Sequence, residues 1–385
     1  MSPKLLPPLK LMLKSIFLQN FRSYEKQEFS FEDTTLIVGP NTCGKTNLIE
    51  AIYLLSNGKS FRTEKDIQMI RFGKEIGRLK GFVQSFSPGG RIDETELEIV
   101  ITNGLVNGKS PAEGEARPWR QYKKFLVNGV AKRRVDFTSN FSAVLFSPSD
   151  LDIIVDSPTL RRNFLDEVLE QVDRNYRIAL ISYTKALRQR NALLEKTRET
   201  RNSGQAGIRN EKQLEYWDNL VIENGNIITQ KREEFIEFAN NFPKDIFDFV
   251  VDYNKSIISK QRLLQYSQEE ILAGVTLVGP HRDDFSLFMF NNNSNTTHDV
   301  KYFGSRGQQR LAVLQLKILE LLYIEKKLGQ RPTLLLDDIF SELDEGHINL
   351  IFEEIGKQQM IITTTHKEFV PVKLLKSMKI ISFIK

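Results

Sequence analysis

The sequence predicts an α/β fold: a buried mixed sheet, an antiparallel β subdomain, and a second, helical lobe carrying a short helical hairpin. Three observations point there. Short apolar runs at residues 35–38, 333–336 and 360–365 lead into a glycine-rich loop, a pair of aspartates and a histidine, as buried parallel strands do. Between residues 78 and 127 the pattern changes to short strands separated by turn signals. From Leu160 to Phe238 apolar residues recur at i, i+3 and i+4, the helical period.

In chain order, residues 12–21 read as a first strand, Asn20-Phe21-Arg22-Ser23-Tyr24 as a turn, and 27–31 as a second strand pairing back. The third run, 35–38, leads into Gly39-Pro40-Asn41-Thr42-Cys43-Gly44-Lys45-Thr46, which matches GxxxxGK[ST]. Leu48, Ile49, Ile52 and Leu55 then mark an amphipathic helix, and strand, glycine loop and helix in that order define a P-loop. The residue types suit phosphate. Gly39 and Gly44 allow the backbone to aim N–H groups at an anion, helped by the positive helix end. Lys45 supplies charge for β- and γ-phosphates, and the Thr46 hydroxyl can ligate Mg²⁺. Downstream, Gly58-Lys59-Ser60-Phe61-Arg62-Thr63 is a polar loop in which Arg62 is either phosphate-reaching or a solvated cation.

The antiparallel block is expected at 79–86, 94–101 and 123–127, with turns at Ser87-Pro88-Gly89-Gly90, Asn103-Gly104, Asn107-Gly108 and Asn128-Gly129. Residues 103–120 read as a mobile insertion. Lys123-Lys124 and Lys132-Arg133-Arg134 make the block basic, which fits either DNA contact or a solvated surface. A long helix then begins with Ser157 as cap and Pro158 inside it, and carries Leu160 through Leu187. After a polar break at 195–213, a second helix runs from Leu214 to Phe238, making a hairpin far too short for a coiled-coil arm.

Residues 275–279 read as a strand ending in Gly279-Pro280-His281-Arg282-Asp283-Asp284-Phe285, a charged turn with an Arg–Asp pair and no complete metal-ligand spacing. Residues 291–297 form a polar loop. Gly304-Ser305-Arg306-Gly307-Gln308-Gln309-Arg310 precedes a clean helix, with Ser305 as cap and glycines permitting close approach to an anion. Residues 333–336 end in Asp337-Asp338, a Walker B pattern in which Asp337 would hold Mg²⁺ through the metal's bound water and Asp338 would orient or accept a proton from attacking water. Ser341-Glu342-Leu343-Asp344 follows. The run 360–365 is expected as the last strand and leads to His366, suited to touching a γ-phosphate.

Composition sets the frame. A chain of 385 residues, 40% hydrophobic and 27% charged, is ordinary globular material large enough for two or three lobes. Its formal charge of +5 is compatible with nucleic acid but does not argue for it alone. The single cysteine, Cys43, permits no intrachain disulfide and fits a reducing cytoplasmic home. No apolar run approaches the roughly 18 residues that span a membrane.

Taken together, the order of motifs resembles the ABC-type ATPase heads of the SMC and Rad50 class, and within it the RecF family of DNA replication and repair proteins. The resemblance is carried by NFRSYE (20–25), GPNTCGKTNLIEAIY (39–53), KSFRT (59–63), FSPSDLDIIVDSPTLRRNFLD (146–166), GPHRDDF (279–285), GSRGQQR (304–310) and LLLDDIFSELD (334–344). It implies an ATP- and Mg²⁺-dependent switch. The nucleotide would meet Gly39, Pro40, Asn41, Thr42, Cys43, Gly44, Lys45, Thr46 and Asn47, with Arg22, Ser23 and Arg62 beside the phosphates. Thr46 and Asp337 would hold the metal, and Lys45, Asp337, Asp338 and His366 would serve a weak, DNA-stimulated hydrolysis. Ser305, Gly307 and Gln308 of a second subunit would cap the nucleotide. The closed homodimer would clamp double-stranded DNA at gapped single-strand–duplex junctions and, with RecR and RecO, help load recombinase during DNA damage and the SOS response. Asp156 stands where the family usually has Gly, Asp338 where most ABC ATPases have Glu, and residues 147–150 offer no Q-loop glutamine. The implied layout is an N-terminal extension at 1–11, an ATPase lobe at 12–150 and 271–385, and a helical lobe at 151–270. Competing readings are another SMC- or Rad50-class head, a transporter's nucleotide-binding subunit, and a nuclease that would need an acidic metal cluster.

Overall fold

The computed structural model describes residues 9–86, 91–104, 122–202, 211–291, 296–341, 346, 358–370 and 375–383. The turns expected at 87–90 and 107–108, most of the 103–120 insertion, and Glu342, Leu343 and Asp344 lie outside them. The chain divides into two compact units, Met1–Asp150 with Glu320–Lys385, and Leu151–Leu319.

The first unit opens with β1 (Leu9–Phe21), β2 (Tyr24–Ser30) and β3 (Thr34–Val38). β1 begins three residues before the expected start at Met12. Leu9 and Lys10 already pair with a later strand, and Leu11 is buried, so the alternating LKLM stretch belongs to the sheet and not to the extension. Next come β4 (Ile76–Phe86), β5 (Ile92–Thr102), β6 (Tyr122–Val127), β7 (Val130–Lys132) and β8 (Ala143–Phe146). β1, β4, β5, β6 and β7 follow one another antiparallel, with β2 added to β1. The β6–β7 hairpin turns on Asn128 (φ 50°) and Gly129 (φ 76°), a left-handed pair matched to two-residue hairpins.

In the second unit a short helix, Asp152–Val155, is followed by the helices Pro158–Val172, Arg174–Asn202 and Glu211–Asn241, the last two packing along each other as the expected hairpin. The first helical stretch is two helices, not one. The backbone leaves the helix at Asp173 (φ −130°, ψ 111°), whose Oδ1 accepts from Asn175 N (2.8 Å) and Tyr176 N (3.0 Å) and so restarts it. A small sheet follows from β9 (Val250–Asn254), β10 (Asp284–Asn291) and β11 (Thr296–Asp299), in the order β11-β10-β9.

Residues 275–279 are not a strand. Their N–H groups are taken by side chains: Thr276 N by Asn191 (2.9 Å), Leu277 N by Glu270 (2.8 Å) and Gly279 N by Ser256 (3.1 Å). A ladder is therefore not needed to satisfy this backbone. The expected lobe boundary at 270 also moves: residues up to Leu319 belong to the second unit, because β10 pairs with β9 and packs on the helix Pro158–Val172.

The helix Arg306–Leu328 starts in the second unit and ends in the first. There β12 (Gln330–Arg331) joins β1 in parallel, and β13 (Thr333–Asp337), β14 (Met360–Thr364) and β15 (Lys379–Ser382) complete a parallel sheet ordered β15-β3-β14-β13-β8. β15 was not foreseen: KIIS is short and half-exposed, and β14 is not the last strand. Gln359, just before β14, is 1% exposed. Its amide donates to Leu13 O and accepts from Leu13 N, both at 2.8 Å, where β1 shifts register. That side chain repairs a bulge in the other sheet.

The helix Lys45–Asn57 packs against β4 and β5 of one sheet and β8 and β13 of the other. Every residue from Leu48 to Asn57 is buried, so the helix is enclosed nearly all round, with Glu50, Ser56 and Asn57 as its buried polar residues. Each fully buried Leu or Ile there contributes roughly 1.5–3 kcal/mol. Gly81 makes room: a Cβ on it would lie 2.5 Å from Leu55 Cδ1. The core thus fixes this helix, and with it the phosphate loop, between two sheets.

Candidate functional site

The loop from Gly39 to Lys45 joins β3 to the central helix. Thr42 (φ 71°) and Gly44 (φ 108°) are left-handed and turn the chain back so that the helix N-terminus opens on the loop. The first N–H groups of a helix have no partner within it, and such an end favours an anion. A Cβ on Gly39 would lie 2.8 Å from both Cys43 Sγ and Phe383 Cβ, so the loop tolerates no side chain there. Tyr24 supports it from β2 by donating to Gly44 O (2.9 Å), and burial raises its phenol pKa, which keeps it a donor. Lys45 is buried, its ammonium donating to Gly39 O (2.7 Å) and Pro40 O (3.1 Å).

Register brings the other predicted residues to the same edge. Asp337 pairs with Thr363, and Thr364 with Val38, so the carboxyl ends of β13, β14 and β3 lie side by side. Asp337 Oδ1 accepts from Thr363 Oγ1 (2.6 Å) and Thr46 Oγ1 (3.4 Å). Burial holds its carboxyl above the ordinary range; the Thr363 and Thr46 hydrogen bonds oppose that, Asp338 adds to it, and Lys45 opposes it. Asp338 is left-handed (φ 54°), its N–H held by Thr363 O (3.2 Å) and Oγ1 (3.1 Å). His366 lines a cleft of about 490 Å³ with Val38, Gly39, Pro40, Asn41, Ser382 and Phe383.

Arg22, Ser23, Asn47 and Arg62 form a second group at the start of the same helix. Asn47 donates to Ser23 Oγ (2.9 Å) and accepts from Arg62 Nη1 (2.8 Å). Arg22 makes a two-point contact with Glu50, Nε to Oε2 at 2.8 Å and Nη2 to Oε1 at 2.6 Å, while Arg62 Nη1 reaches Oε2 at 3.3 Å. Sequence reasoning missed Glu50, Thr363 and Tyr24. Glu50 carried a signal, a lone carboxylate inside the apolar run LIEAIY, one turn after Asn47.

The predicted residues of the second unit stand at another helix start. Ser305 Oγ accepts from Gln308 N (3.2 Å) and Gln308 Oε1 accepts from Ser305 N (2.9 Å), a reciprocal capping box. Ser305, Arg306 and Gly307 are exposed, and a Cβ on Gly307 would meet only Ser305 Oγ, at 3.9 Å. Asp156 has φ −101°, backbone that any residue adopts, so a glycine is not required there. In the stretch without a glutamine, Asp150 Oδ2 takes the Ser147 N–H at 2.7 Å.

Two further charged clusters make ion pairs and hydrogen bonds within the fold. Lys123 pairs with Asp66 (2.5 Å), Arg133 pairs with Asp136 (2.9 Å), and Arg134 donates to Asn57 O (3.2 Å) at the end of the central helix. Lys123 and Arg134 are thereby committed within the fold, whereas Lys124, Lys132 and Arg133 stay exposed. In the GPHRDDF turn, Asp284 pairs with Arg161 (2.6 Å) and Asp283 with Arg232 (2.9 Å), so the Arg–Asp pairing is real but uses arginines from distant helices.

Fold and site together define the class: a P-loop ATPase head of the SMC kind. The RecF/RecN/SMC N terminal domain model matches residues 12–382. The DNA replication and repair protein RecF of Bacillus cereus (strain G9842) is 35% identical over 96% of both chains, and that of Bacillus thuringiensis (strain Al Hakam) 34% over the same shares. Solved structures of the recombination mediator protein RecF in the RecFOR pathway, with ATPrS and with ATP, each superpose with a TM-score of 0.79 at 31% identity. They cover 95% and 96% of this chain and 96% of their own. A Pyrococcus yayanosii Smc head is similar in fold alone, with a TM-score of 0.50 at 13% identity over 97% of this chain and 95% of its own. The chain belongs to the RecF family of DNA replication and repair proteins.

Proposed function

We propose that this chain is an ATP-driven DNA clamp. ATP binds at the Gly39–Asn47 loop, two subunits close on their nucleotides, and the closed dimer holds duplex DNA at gapped junctions. The observation that carries the reading is the meeting of Lys45, Thr46, Asp337 and Asp338 at the carboxyl edge of one parallel sheet, beside an open helix N-terminus. Lys45 offers the phosphates a charge already positioned against loop carbonyls. Thr46 Oγ1 and Asp337 Oδ1 make an oxygen pair suited to Mg²⁺, which when bound neutralises charge on the β- and γ-phosphates. Asp338 orients the attacking water or accepts its proton, and its short reach makes hydrolysis slow. His366 approaches the γ-phosphate from the cleft beside Gly39.

Ser305, Gly307 and Gln308 cap the second subunit's nucleotide. Their exposed, pre-folded capping box supports this role. RecR and RecO are the expected partners, in the cytoplasm; among the described residues no helix is long and apolar enough to cross a membrane. The relatives' role in replication and repair supports the DNA substrate. Sedimentation with and without ATP and Mg²⁺, each with and without gapped duplex, tests the clamp. Dimers only with ATP, binding DNA more tightly, support it; a monomer under all four conditions overturns it. Ser305→Glu should keep ATP affinity within about twofold and abolish the dimer. ATP-dependent dimers of that variant would refute the capping role.

A further inference from the structure

Glu50 is fully buried on the central helix, yet three groups from outside that helix converge on it. Arg22 grips it through two nitrogens, and Arg62 Nη1 touches Oε2 at 3.3 Å. Ser60 Oγ donates to Oε1 at 2.5 Å. The same Ser60 oxygen accepts the Arg62 and Thr63 N–H groups at 3.0 and 3.2 Å, so the carboxylate also fixes the turn that carries Arg62. Arg22 itself is left-handed (φ 49°), with Nη1 on Gln68 O at 2.7 Å.

Charge does not balance in this group. One carboxylate serves two guanidiniums, leaving one positive charge beside the phosphate loop, and the arginine side chains stay 19% and 40% exposed. A carboxylate buried at this depth is costly without partners, and two-point arginine contacts are the strong way to hold it. We propose, on the reading that ATP binds this loop, that Glu50 is a positioning residue. It holds Arg22 and Arg62 as one shared unit whose spare charge is completed by the nucleotide's terminal phosphate. Preference for ATP over ADP then depends on Glu50, although Glu50 touches no nucleotide.

A double-mutant cycle tests this with ATP and ADP affinities, measured by calorimetry on Glu50→Gln, Arg62→Ala and the combined variant. Thermal melting first checks that each is folded. Glu50→Gln is expected to weaken ATP about tenfold and ADP by no more than about twofold, and to add less than twofold in the Arg62→Ala background. Unchanged ATP preference, or losses that add in full, would overturn the positioning role, because a purely structural glutamate would lower melting without changing discrimination. If Glu50→Gln does not fold, Ser60→Ala removes one support of the same carboxylate. Its ATP/ADP ratio should fall in the same direction, and an unchanged ratio would refute the idea. Lys45→Ala separates the premise: if that variant binds ATP as well as the parent, the P-loop reading fails, whatever Glu50 does.

Discussion

Each unit contains a group in which buried acids meet arginines, and the two groups differ in how far their charges are spent. In the second unit Asp283 is wholly buried and saturated: Arg232 and Tyr253 donate to Oδ2, and Ser256 N donates to Oδ1 at 2.7 Å. Arg232 is spent as well, on Asp166 (2.8 Å), Pro280 O (2.8 Å) and Tyr176 (3.2 Å). His281 is closed in the same way. Burial keeps the ring neutral, and because Nε2 faces Thr276 O at 3.1 Å and must donate, Nδ1 is left to accept from Tyr183 at 2.7 Å. In the first unit, by contrast, one buried carboxylate supports two partly exposed arginines, and the open end of a helix stands beside them. Clustering of charge is common to both; surplus charge at an opening distinguishes the proposed site from the lock.

The largest expected effect breaks the lock. Arg232→Met should strand Asp283 and Asp166 without their cation and cost about 3–5 kcal/mol, read from chemical denaturation. A loss below about 1 kcal/mol would mean that the cluster is not holding the second unit together.

Acid should act next. Burial depresses the His281 pKa to about 4, against an ordinary 6.5. The unfolded chain therefore binds the proton first, and stability is full above pH 6.5 and lost as pH falls toward 4. The loss is on the order of 3 kcal/mol. A His281→Gln variant should flatten the pH dependence of melting in that window; an unchanged slope would assign the effect elsewhere.

The smallest effect sharpens the contrast at the nucleotide edge. Burial keeps the Asp337 pKa above its ordinary value, so its charge is unfavourable to the fold. Asp337→Asn should raise stability without nucleotide, read from thermal melting, while lowering Mg²⁺-dependent ATP turnover. Both measurements are needed: a variant less stable than the parent would contradict the strain, and a parental Mg²⁺ titration would contradict metal binding.

Legibility followed how local each signal was. Gly39 to Thr46 could be read directly, because the spacing of glycine, lysine and threonine is itself the loop, and Asp337 followed from an apolar run ending in acids. The helix stop at Asp173 and the strand-like run at 275–279 misled for one reason. Polar side chains from elsewhere or nearby satisfy the backbone there, and periodicity does not register them. β15 was missed because its partner, β3, lies more than 300 residues away and supplies the pairing that the short segment lacks.

By itself, the sequence determined the chemistry available: a phosphate loop, a paired-acid strand, a capped signature helix and one family's order of motifs. Those depend on residue type at fixed short spacing, which the chain carries wherever it goes. Only the tertiary structure decided which charges are spent and which remain. Arg22, Arg62 and Ser60 meet Glu50 because the helix that bears it is buried between two sheets. Asp283 is closed off because Arg232 reaches it across 51 residues. Whether a charge is saturated depends on groups brought from far along the chain, and that is a property of packing, which no local spacing encodes.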